Sequence, residues 1–295
     1  MISWPALGTR VTVRYRRPAG SSPSLTDAVG HLLATEPVVR VRTKTGAVVE
    51  IDSADVVALR ALTDAPVRSG QIRALEHAAA FAWPGVERQW LDGWLLRAGH
   101  GVTFRANSAV PLDISANQSV IPAIVDWYLR RDLTPRLAVA DRLLRLPGTG
   151  ERPNRVFVRN VSAGEPHPSV TLACRPDAAW LGLSRHAIPV DVLTAVVDGE
   201  LAFAVCAGIA VGRAAVTNAP DGTRWVGLSL VTVADGPGGC AHVKRLCEAL
   251  LAWGANRGAT RGYVRVADDN TAANSLIDSL GFTLHHHSRY FSVAS

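Results

Sequence analysis

A glycine-rich turn near the C-terminal end of the chain is the feature best suited to chemistry. An apolar segment at residues 225–233 leads into this turn, which has glycines at positions 236, 238 and 239, and an amphipathic helical pattern follows directly. A strand that ends in such a turn gathers free backbone N–H groups at the positive end of the next helix dipole. The pattern therefore predicts a pyrophosphate site, and hence a nucleotide-like cofactor.

The segments behind the turn have the periodicity of a helix, a strand and a second helix. Gly258 would end the first helix, and residues 263–266 read as a strand. Asn270 stands where it would cap the second helix, and Gly281 would end it. The apolar stripe of the first helix consists of Val243, Leu246, Cys247, Leu250 and Leu251, at helical spacing.

One interpretation of the turn is a dinucleotide-binding fingerprint. Gly236, Gly238 and Ala241 have the required spacing, with a strand before them and a helix after. However, a doubly wound sheet would have to continue beyond the short remainder of the chain. The candidate ribose-binding acid, Asp268, comes 32 positions after Gly236, where roughly 20 are expected. This interpretation is therefore the weaker of two.

The stronger interpretation is a resemblance to the GNAT superfamily of N-acetyltransferases. Residues 233–241 are similar to the family's acetyl-CoA loop, a Val-x-Pro followed by Arg/Gln-x-x-Gly-x-Gly/Ala at the start of a helix. Residues 267–273, residues 280–282 and the closing Tyr290-Phe291 resemble the family's later signature in order and spacing. The similarity covers about residues 197–295. It implies transfer of an acetyl group from acetyl-CoA to an amine of a small molecule or peptide.

The resemblance also implies which residues would hold acetyl-CoA. Val231 and Val233 would hydrogen-bond the pantetheine arm like an added strand, and Asn270 would meet the arm from the other side. Lys244 or Arg245 would reach the 3′-phosphate. The backbone around the pyrophosphate would come from Gly238, Gly239, Cys240, Ala241 and His242.

Several positions depart from the family pattern, and they bear on catalysis. Asp235 and Gly236 replace the usual proline and the usual Arg or Gln. Ile277 occupies the position of the family's general-acid tyrosine, and residues 225–233 contain no carboxylate that could act as the base. Because acid–base assistance is typically worth about 10²–10⁴-fold in rate, a catalytically decayed CoA-binding or scaffolding protein stays open. No catalytic residue is assigned; possible substitutes are Glu200, Tyr263, His286 and Tyr290.

The whole chain predicts an α/β (α+β) protein with a GNAT-type mixed sheet and flanking helices, preceded by a small SH3-like β-barrel. Residues 1–62 show short alternating strands separated by turns, which are typical of such a barrel. Residues 66–295 form the acetyltransferase region, with a front lobe at about 66–185 and an acetyl-CoA-binding lobe at about 190–295. This order resembles that of actinobacterial GNAT proteins. In the front lobe we expect residues 94–97 and 104–110 to pair as strands and residues 147–168 to form a loop.

Composition narrows the location and the partners. Apolar residues make up 48% and charged residues 19% of the chain, a globular composition. There is neither an apolar run of about 18 residues nor a signal-peptide pattern, so we expect a cytoplasmic protein without a membrane partner. The net charge is +6, and the basic strip from Arg10 to Arg17 has no acid before Asp27. Binding of a nucleic acid by this strip is a secondary hypothesis.

Metal binding is not expected from the histidines and cysteines. Three consecutive histidines at positions 285–287 would alternate between the two faces of a strand. The four cysteines show no Cys-x-x-Cys pair and are expected to be reduced thiols. Cys240 is read as a small loop residue rather than a nucleophile.

Overall fold

Two compact units make up the protein, Met1–Pro66 and Val67–Ser295. The computed structural model describes residues 4–5, 7–18, 20–62, 67–234 and 239–293. Each unit has its own apolar core.

The first unit is a small antiparallel sheet of five strands: β1 (Arg10–Arg16), β2 (Leu25–Ala34), β3 (Val39–Thr43), β4 (Val48–Ile51) and β5 (Val56–Ala61). Their order in the sheet is β4-β3-β2-β1-β5. Period-2 alternation builds the core, because Val11 and Val13 of β1 and Val39 and Val41 of β3 are fully buried. The prediction of a small β unit at this end of the chain is confirmed.

The second unit is a mixed α/β structure. Its helices are α1 (Ser69–Ala82), α2 (Ile121–Leu129), α3 (Ala178–Ser184), α4 (Val190–Leu193), α5 (Gly239–Ala255) and α6 (Ala272–Ser279). Its strands are β6 (Glu87–Leu91), β7 (Trp94–Ala98), β8 (Val110–Pro111), β9 (Arg136–Ala140), β10 (Glu151–Asn160), β11 (Val170–Ala173), β12 (Glu200–Cys206), β13 (Ala210–Asn218), β14 (Arg224–Val233), β15 (Arg261–Ala267) and β16 (Thr283–Ser292).

An eight-stranded sheet forms the centre of the second unit, in the order β11-β12-β13-β14-β15-β10-β16-β9. Its neighbouring strands are antiparallel except for β14 and β15, which are parallel. The strands β6, β7 and β8 form a separate antiparallel sheet, which meets the edge strand β9 through a bridge between Ala109 and Leu137. This mixed sheet with flanking helices confirms the predicted fold class.

Helices cover both faces of the large sheet. The predicted apolar stripe of α5 is buried, with Leu246 and Leu250 packed in one cluster with Val226 and Leu228 of β14. On the opposite face, Leu75 of α1 packs with residues of β10, β14 and β15. The α5 helix approaches the sheet very closely, since a Cβ built on Gly254 would lie 2.4 Å from Cβ of Val226.

The prediction that residues 104–110 form a strand was wrong apart from its last residue. β7 pairs with β6, and β8 contributes only two residues to this sheet. The preceding residues form a loop that is held by the fully buried side chain of Asn107. Its Oδ1 accepts hydrogen bonds from the backbone of Gly99 and Gly101, and its Nδ2 donates to the carbonyl oxygens of Gly99 and Thr103. Because this one side chain satisfies four backbone groups, the segment does not depend on the backbone hydrogen bonds of a strand.

The prediction of a loop at residues 147–168 was also wrong for its central part. β10 is a ten-residue strand between β15 and β16. The Pro, Gly and Arg content suggested a loop, but Val156, Phe157 and Val158 are buried between the two layers of helices and loops. A strand that is buried on both faces lacks the simple alternation by which strands are recognised.

None of the helices formed by the described residues combines the length and the apolar character needed to cross a membrane.

Candidate functional site

A bulge in β14 separates this strand from β15. The parallel pairing runs only from Trp225 opposite Arg261 to Leu228 opposite Val264. Leu230 has a φ of 53°, in the left-handed region that a leucine rarely adopts. The register with β13 shifts between Val211 and Arg213 at the same level. The extra residue bends β14 away from its parallel neighbour.

The bulge also changes the alternation of side chains along β14, so that different positions face α5 before and after it. Val226 and Leu228 lie in the core beneath α5, whereas Leu230 packs into the cluster on the opposite face. Val231 and Val233 return to the α5 side. Beyond Leu228, β14 keeps its pairing with β13 but no longer pairs with β15. Its edge facing β15 is therefore open to an extended ligand.

The first turn of α5 lies against the end of this open edge. A Cβ built on Gly239 would come within 3.1 Å of Cγ2 of Val233, so a glycine here lets the helix begin beside the strand. The first N–H groups of a helix have no partners within the helix and stand at its positive dipole end. Together, the strand edge and the helix start can hold a ligand that has an extended amide chain and a phosphate group.

Most of the predicted acetyl-CoA residues lie in this region. Val231 and Val233 are half-buried in β14, and Gly239 through His242 form the first turn of α5. Lys244 and Arg245 are exposed on the next turn. The predicted contact at Gly238, like the departures at positions 235 and 236, lies outside the described residues. The described members of the set are Val231, Val233, Gly239, Cys240, Ala241, His242, Lys244, Arg245 and Asn270.

Asn270 lies after β15, on the other side of the gap. Its Oδ1 accepts a hydrogen bond of 3.2 Å from the backbone of Ala273, which caps the start of α6 as its sequence position indicates. Asp268 and Asp269, just before it, line the cleft described next.

A cleft of about 1070 Å³ opens at the gap between β14 and β15. Ser229 and Leu230 of the bulge form one wall, and the residues that follow β15 form another. The volume is at the upper end of the range of small-molecule sites. The remaining lining comes from the residue after α1, the 101–105 loop, the starts of β9 and β10, the segment after α3 and β16: Trp83, Gly101, Val102, Thr103, Phe104, Arg105, Arg136, Arg152, Pro153, Asn154, His186, Ile188 and Tyr290.

The position of the family's general-acid tyrosine holds a core residue. Ile277 is buried in the apolar cluster beneath α5, with Leu246 and Leu250. Glu200 lies at the start of β12 and forms ion pairs with Arg224 and Arg257. Because Arg224 begins β14 and the cleft lies at the far end of that strand, Glu200 is not near the cleft.

The other three candidate substitutes lie under or beside the cleft. Tyr263 is buried in β15, and burial raises the pKa of its hydroxyl to about 12. His286 is buried against Glu76. Tyr290 is the one tyrosine that lines the cleft among the residues that the structure describes.

A buried layer of charged groups lies beneath the cleft. Glu76 of α1 accepts a hydrogen bond of 2.6 Å from Arg265 of β15 and lies 2.9 Å from Nε2 of His286 in β16. Burial alone would raise the pKa of Glu76, but Arg265 and His286 hold that pKa well below its usual range. Arg97 donates to the backbone oxygens of Ser108 and Trp83 from the same layer. These bonds tie α1, β7, β15 and β16 together under the cleft floor.

Sequence reasoning missed several residues of the cleft. Arg105, Arg136, Arg152 and His186 come from four separate segments, and none belongs to a recognisable motif. Their placement depends on the fold of the 99–108 loop and of β10, both of which the sequence predicted wrongly. No local signal marked them.

Metal binding and nucleic-acid binding are the two other possibilities that the sequence raised. In the described ranges, no cluster of three or more His, Cys, Asp or Glu side chains is arranged to hold a metal ion. In the first unit, Arg14 forms two hydrogen bonds of 2.9 Å with Asp27 of the neighbouring strand. This pairing removes one positive charge from the basic strip, and nucleic-acid binding there stays a hypothesis.

Comparison with known families and proteins matches almost the entire chain. A family model described as "Probable histone acetyltransferase Rv0428c C-terminal" matches residues 69–291, and one described as "Rv0428c N-terminal Sm-like domain" matches residues 5–60. The protein named "Probable histone acetyltransferase Rv0428c" from Mycobacterium tuberculosis (strain ATCC 25618 / H37Rv) is 65% identical over 298 residues. That match covers 100% of this chain and 98% of the relative.

Solved structures share the fold of the second unit at low sequence identity. A GCN5-related N-acetyltransferase from Kribbella flavida has a TM-score of 0.51 at 14% identity, over 78% of this chain and 97% of that one. A GNAT-family acetyltransferase from Novosphingobium aromaticivorans has a TM-score of 0.50 at 13% identity, over 74% of this chain and 97% of that one. The GNAT resemblance predicted from the sequence is confirmed.

Proposed function

This chain belongs to the family of probable histone acetyltransferases with an N-terminal Sm-like domain, and on that premise we propose that it transfers the acetyl group of acetyl-CoA to an amine. The observation that carries the proposal is the open edge of β14 beyond Leu228, which lies beside the first turn of α5. This edge and the helix start match the two chemically distinct parts of CoA, an amide-containing arm and a pyrophosphate.

The described residues fit this cofactor. The backbone of β14 from Ser229 to Val233 offers N–H and C=O groups to the pantetheine amides, as a strand edge does to an added strand. The first N–H groups of α5 offer donors to the pyrophosphate. Glycine at position 239 lets this turn lie close to β14, because a Cβ there would come within 3.1 Å of Cγ2 of Val233. Lys244 and Arg245, exposed on the same helix, add positive charge for the 3′-phosphate.

The reaction needs a proton acceptor and close positioning. Acetyl-CoA, when bound, supplies an acetyl thioester whose C–S bond breaks as the acceptor nitrogen forms its new C–N bond. The chain has to orient the amine at the gap between β14 and β15 and to accept its proton. We assign the acceptor role to His186, the one histidine among the described residues that line the cleft. A neutral imidazole has one ring nitrogen that can accept a proton, which suits this role.

The identity of the amine is a separate part of the proposal. The relative from M. tuberculosis is named for acetylation of histones, which makes a protein lysine one candidate class. The size of the cleft also suits a small molecule with a primary amine.

A glycine variant at the start of α5 tests the proposal. In Gly239→Glu the added Cβ would press on Val233 and displace the first turn of α5, and the carboxylate would add negative charge beside the helix start assigned to the pyrophosphate. We expect the affinity for acetyl-CoA, measured by calorimetric titration, to fall by roughly 10- to 100-fold, the worth of one or two charge-assisted hydrogen bonds.

Gly70→Glu is the matched control. Gly70 is also in the first turn of a helix, α1, and nothing lies within 4 Å of a Cβ built on it. The control introduces the same charge in a similar context and should bind acetyl-CoA like the unmodified protein. Unchanged affinity in Gly239→Glu, or an equal loss in both variants, would place the cofactor elsewhere.

A further inference from the structure

Two arginines that line the cleft stack on one aromatic ring, Phe104. The Cζ atoms of Arg136 and Arg152 lie 4.2 Å and 4.1 Å from the ring centroid of Phe104. Arg105, the next residue along the chain, lines the same cleft, and its Cζ lies 5.9 Å from the ring centroid of Trp83. Phe104 is itself held by an edge-on contact with Tyr290, with 5.2 Å between the ring centroids. Stacking on an aromatic ring orients a guanidinium group without using its N–H donors.

The donors of these arginines are free to bind a ligand. Within the described residues, the three guanidinium groups form no ion pair and no hydrogen bond with the protein, although Nε of Arg136 is buried. A buried donor without a partner costs roughly 1–3 kcal/mol. Burial and the nearby Arg265 lower the pKa of Arg105, so a negative charge here would also relieve repulsion.

The backbone is shaped to bring Arg152 to this position. Arg152 has a φ of 46°, and the pairing of β10 with β16 is interrupted between Glu151 and Asn154. Regular pairing with β15 begins only at Asn154. Bulges of this kind redirect a side chain and are common beside functional sites.

The balance of charge in the cleft is positive. Asp268 and Asp269 are the acids among its described lining residues, and Asp268 is compensated by Arg155 at 3.4 Å. One uncompensated carboxylate therefore faces three uncompensated guanidinium groups. A ligand segment rich in lysine and arginine would meet net repulsion here, whereas an anionic group would gain charge-assisted hydrogen bonds.

We propose that the acetyl acceptor is a small amine that carries a carboxylate, and that Arg105, Arg136 and Arg152 bind this carboxylate. The inference rests on the proposed acetyl transfer, which places the amine at the gap between β14 and β15. β10 is two strands away from β14, which is roughly 10 Å at ordinary strand spacing. The amine and the carboxylate are thus separated by several bonds, as in an ω-amino acid.

Two acceptors that differ only at one end test the charge preference. The full chain is assayed for CoA release with 6-aminohexanoate and with 6-aminohexanamide at saturating acetyl-CoA. We expect kcat/KM to be at least about tenfold higher for the carboxylate, in keeping with one charge-assisted interaction. In the Arg136→Gln/Arg152→Gln double variant, the ratio of the two kcat/KM values should fall towards one, because KM for 6-aminohexanoate should rise.

Arg130→Gln is the control for the loss of positive charge. Arg130 is exposed at the end of α2 and does not line the cleft, so this variant should keep the full preference. Equal kcat/KM for the two amines in the unmodified protein would overturn the proposal. So would faster acetylation of a lysine peptide flanked by arginines.

A binding experiment keeps the inference testable without turnover. At constant ionic strength, citrate should bind the cofactor-free protein at least about tenfold more tightly than it binds the double variant. Equal citrate affinities would overturn the proposal. An acetyl-CoA affinity that falls in the double variant would also overturn it, because the arginines would then serve the phosphates of CoA. Absence of acetyl-CoA binding in the unmodified protein contradicts only the proposed function.

Discussion

At the scale of single residues, the cleft is a set of side chains brought together from distant segments. His186 follows α3, Asp269 follows β15, and the arginines come from loops and strand starts elsewhere. The position that the family resemblance marks for the general acid holds a core residue, Ile277, and the possible substitute Glu200 is paired away from the cleft. We therefore expect proton transfer to use groups outside the family's pattern.

We expect His186→Gln to lower kcat by roughly 10²-fold, the lower end of the usual effect of a general base. The affinity for acetyl-CoA should not change. The measurement is the rate of CoA release at saturating acetyl-CoA and amine. His167→Gln is the control, since His167 lies before the edge strand β11, hydrogen-bonded to Ser169. A normal kcat for His186→Gln would remove this residue from the mechanism.

Sequence reasoning found residues in motifs and missed residues in loops. The first turn of α5, its apolar stripe and the cap at Asn270 depend on local spacing, and the structure places them as predicted. The arginines and His186 depend on long-range packing, and no periodicity refers to them. Asn107 illustrates the difference, since one buried amide turned an expected strand into a loop.

At the scale of elements, two bulges shape the cleft. The bulge at Leu230 parts β14 from β15, and the one at Arg152 turns a side chain of β10 into the opening. The first lies in a segment rich in ordinary strand residues, and the second lies in a segment whose Pro, Gly and Arg content suggested a loop. A sequence pattern can indicate a strand but not the single extra residue that bends it, which is why the cleft was not predictable in detail.

The contact between α5 and β14 depends on the absence of a side chain at Gly254. We expect Gly254→Ala to lower the free energy of unfolding by roughly 1–3 kcal/mol, because the added methyl group would press on Val226 in a filled core. Gly70→Ala is the matched control in a helix with open space, where the same change should cause no loss and could add stability. Urea denaturation measures both. Equal stabilities for the two variants would mean that α5 has room to shift.

At the scale of the whole molecule, the chain consists of two units with separate cores. All described residues of the proposed acetyl-CoA and acceptor sites belong to Val67–Ser295. The α/β class and the small N-terminal β unit could be predicted because hydrophobic periodicity determines which elements form. The division of residues 66–295 into a front lobe and an acetyl-CoA-binding lobe stays a prediction, and β10 lies near the centre of a sheet that includes strands from both.

The central claim is that this chain binds acetyl-CoA at the end of β14. The most direct measurement is a calorimetric titration of the full chain with acetyl-CoA, with NADH as the control, supported by the melting temperature at high ligand concentration. We expect saturable binding of acetyl-CoA and no binding of NADH. At an acetyl-CoA concentration of 100 Kd, the free energy of unfolding should rise by about 2.7 kcal/mol. No heat and no rise in melting temperature with acetyl-CoA, or tighter binding of NADH, would contradict the account.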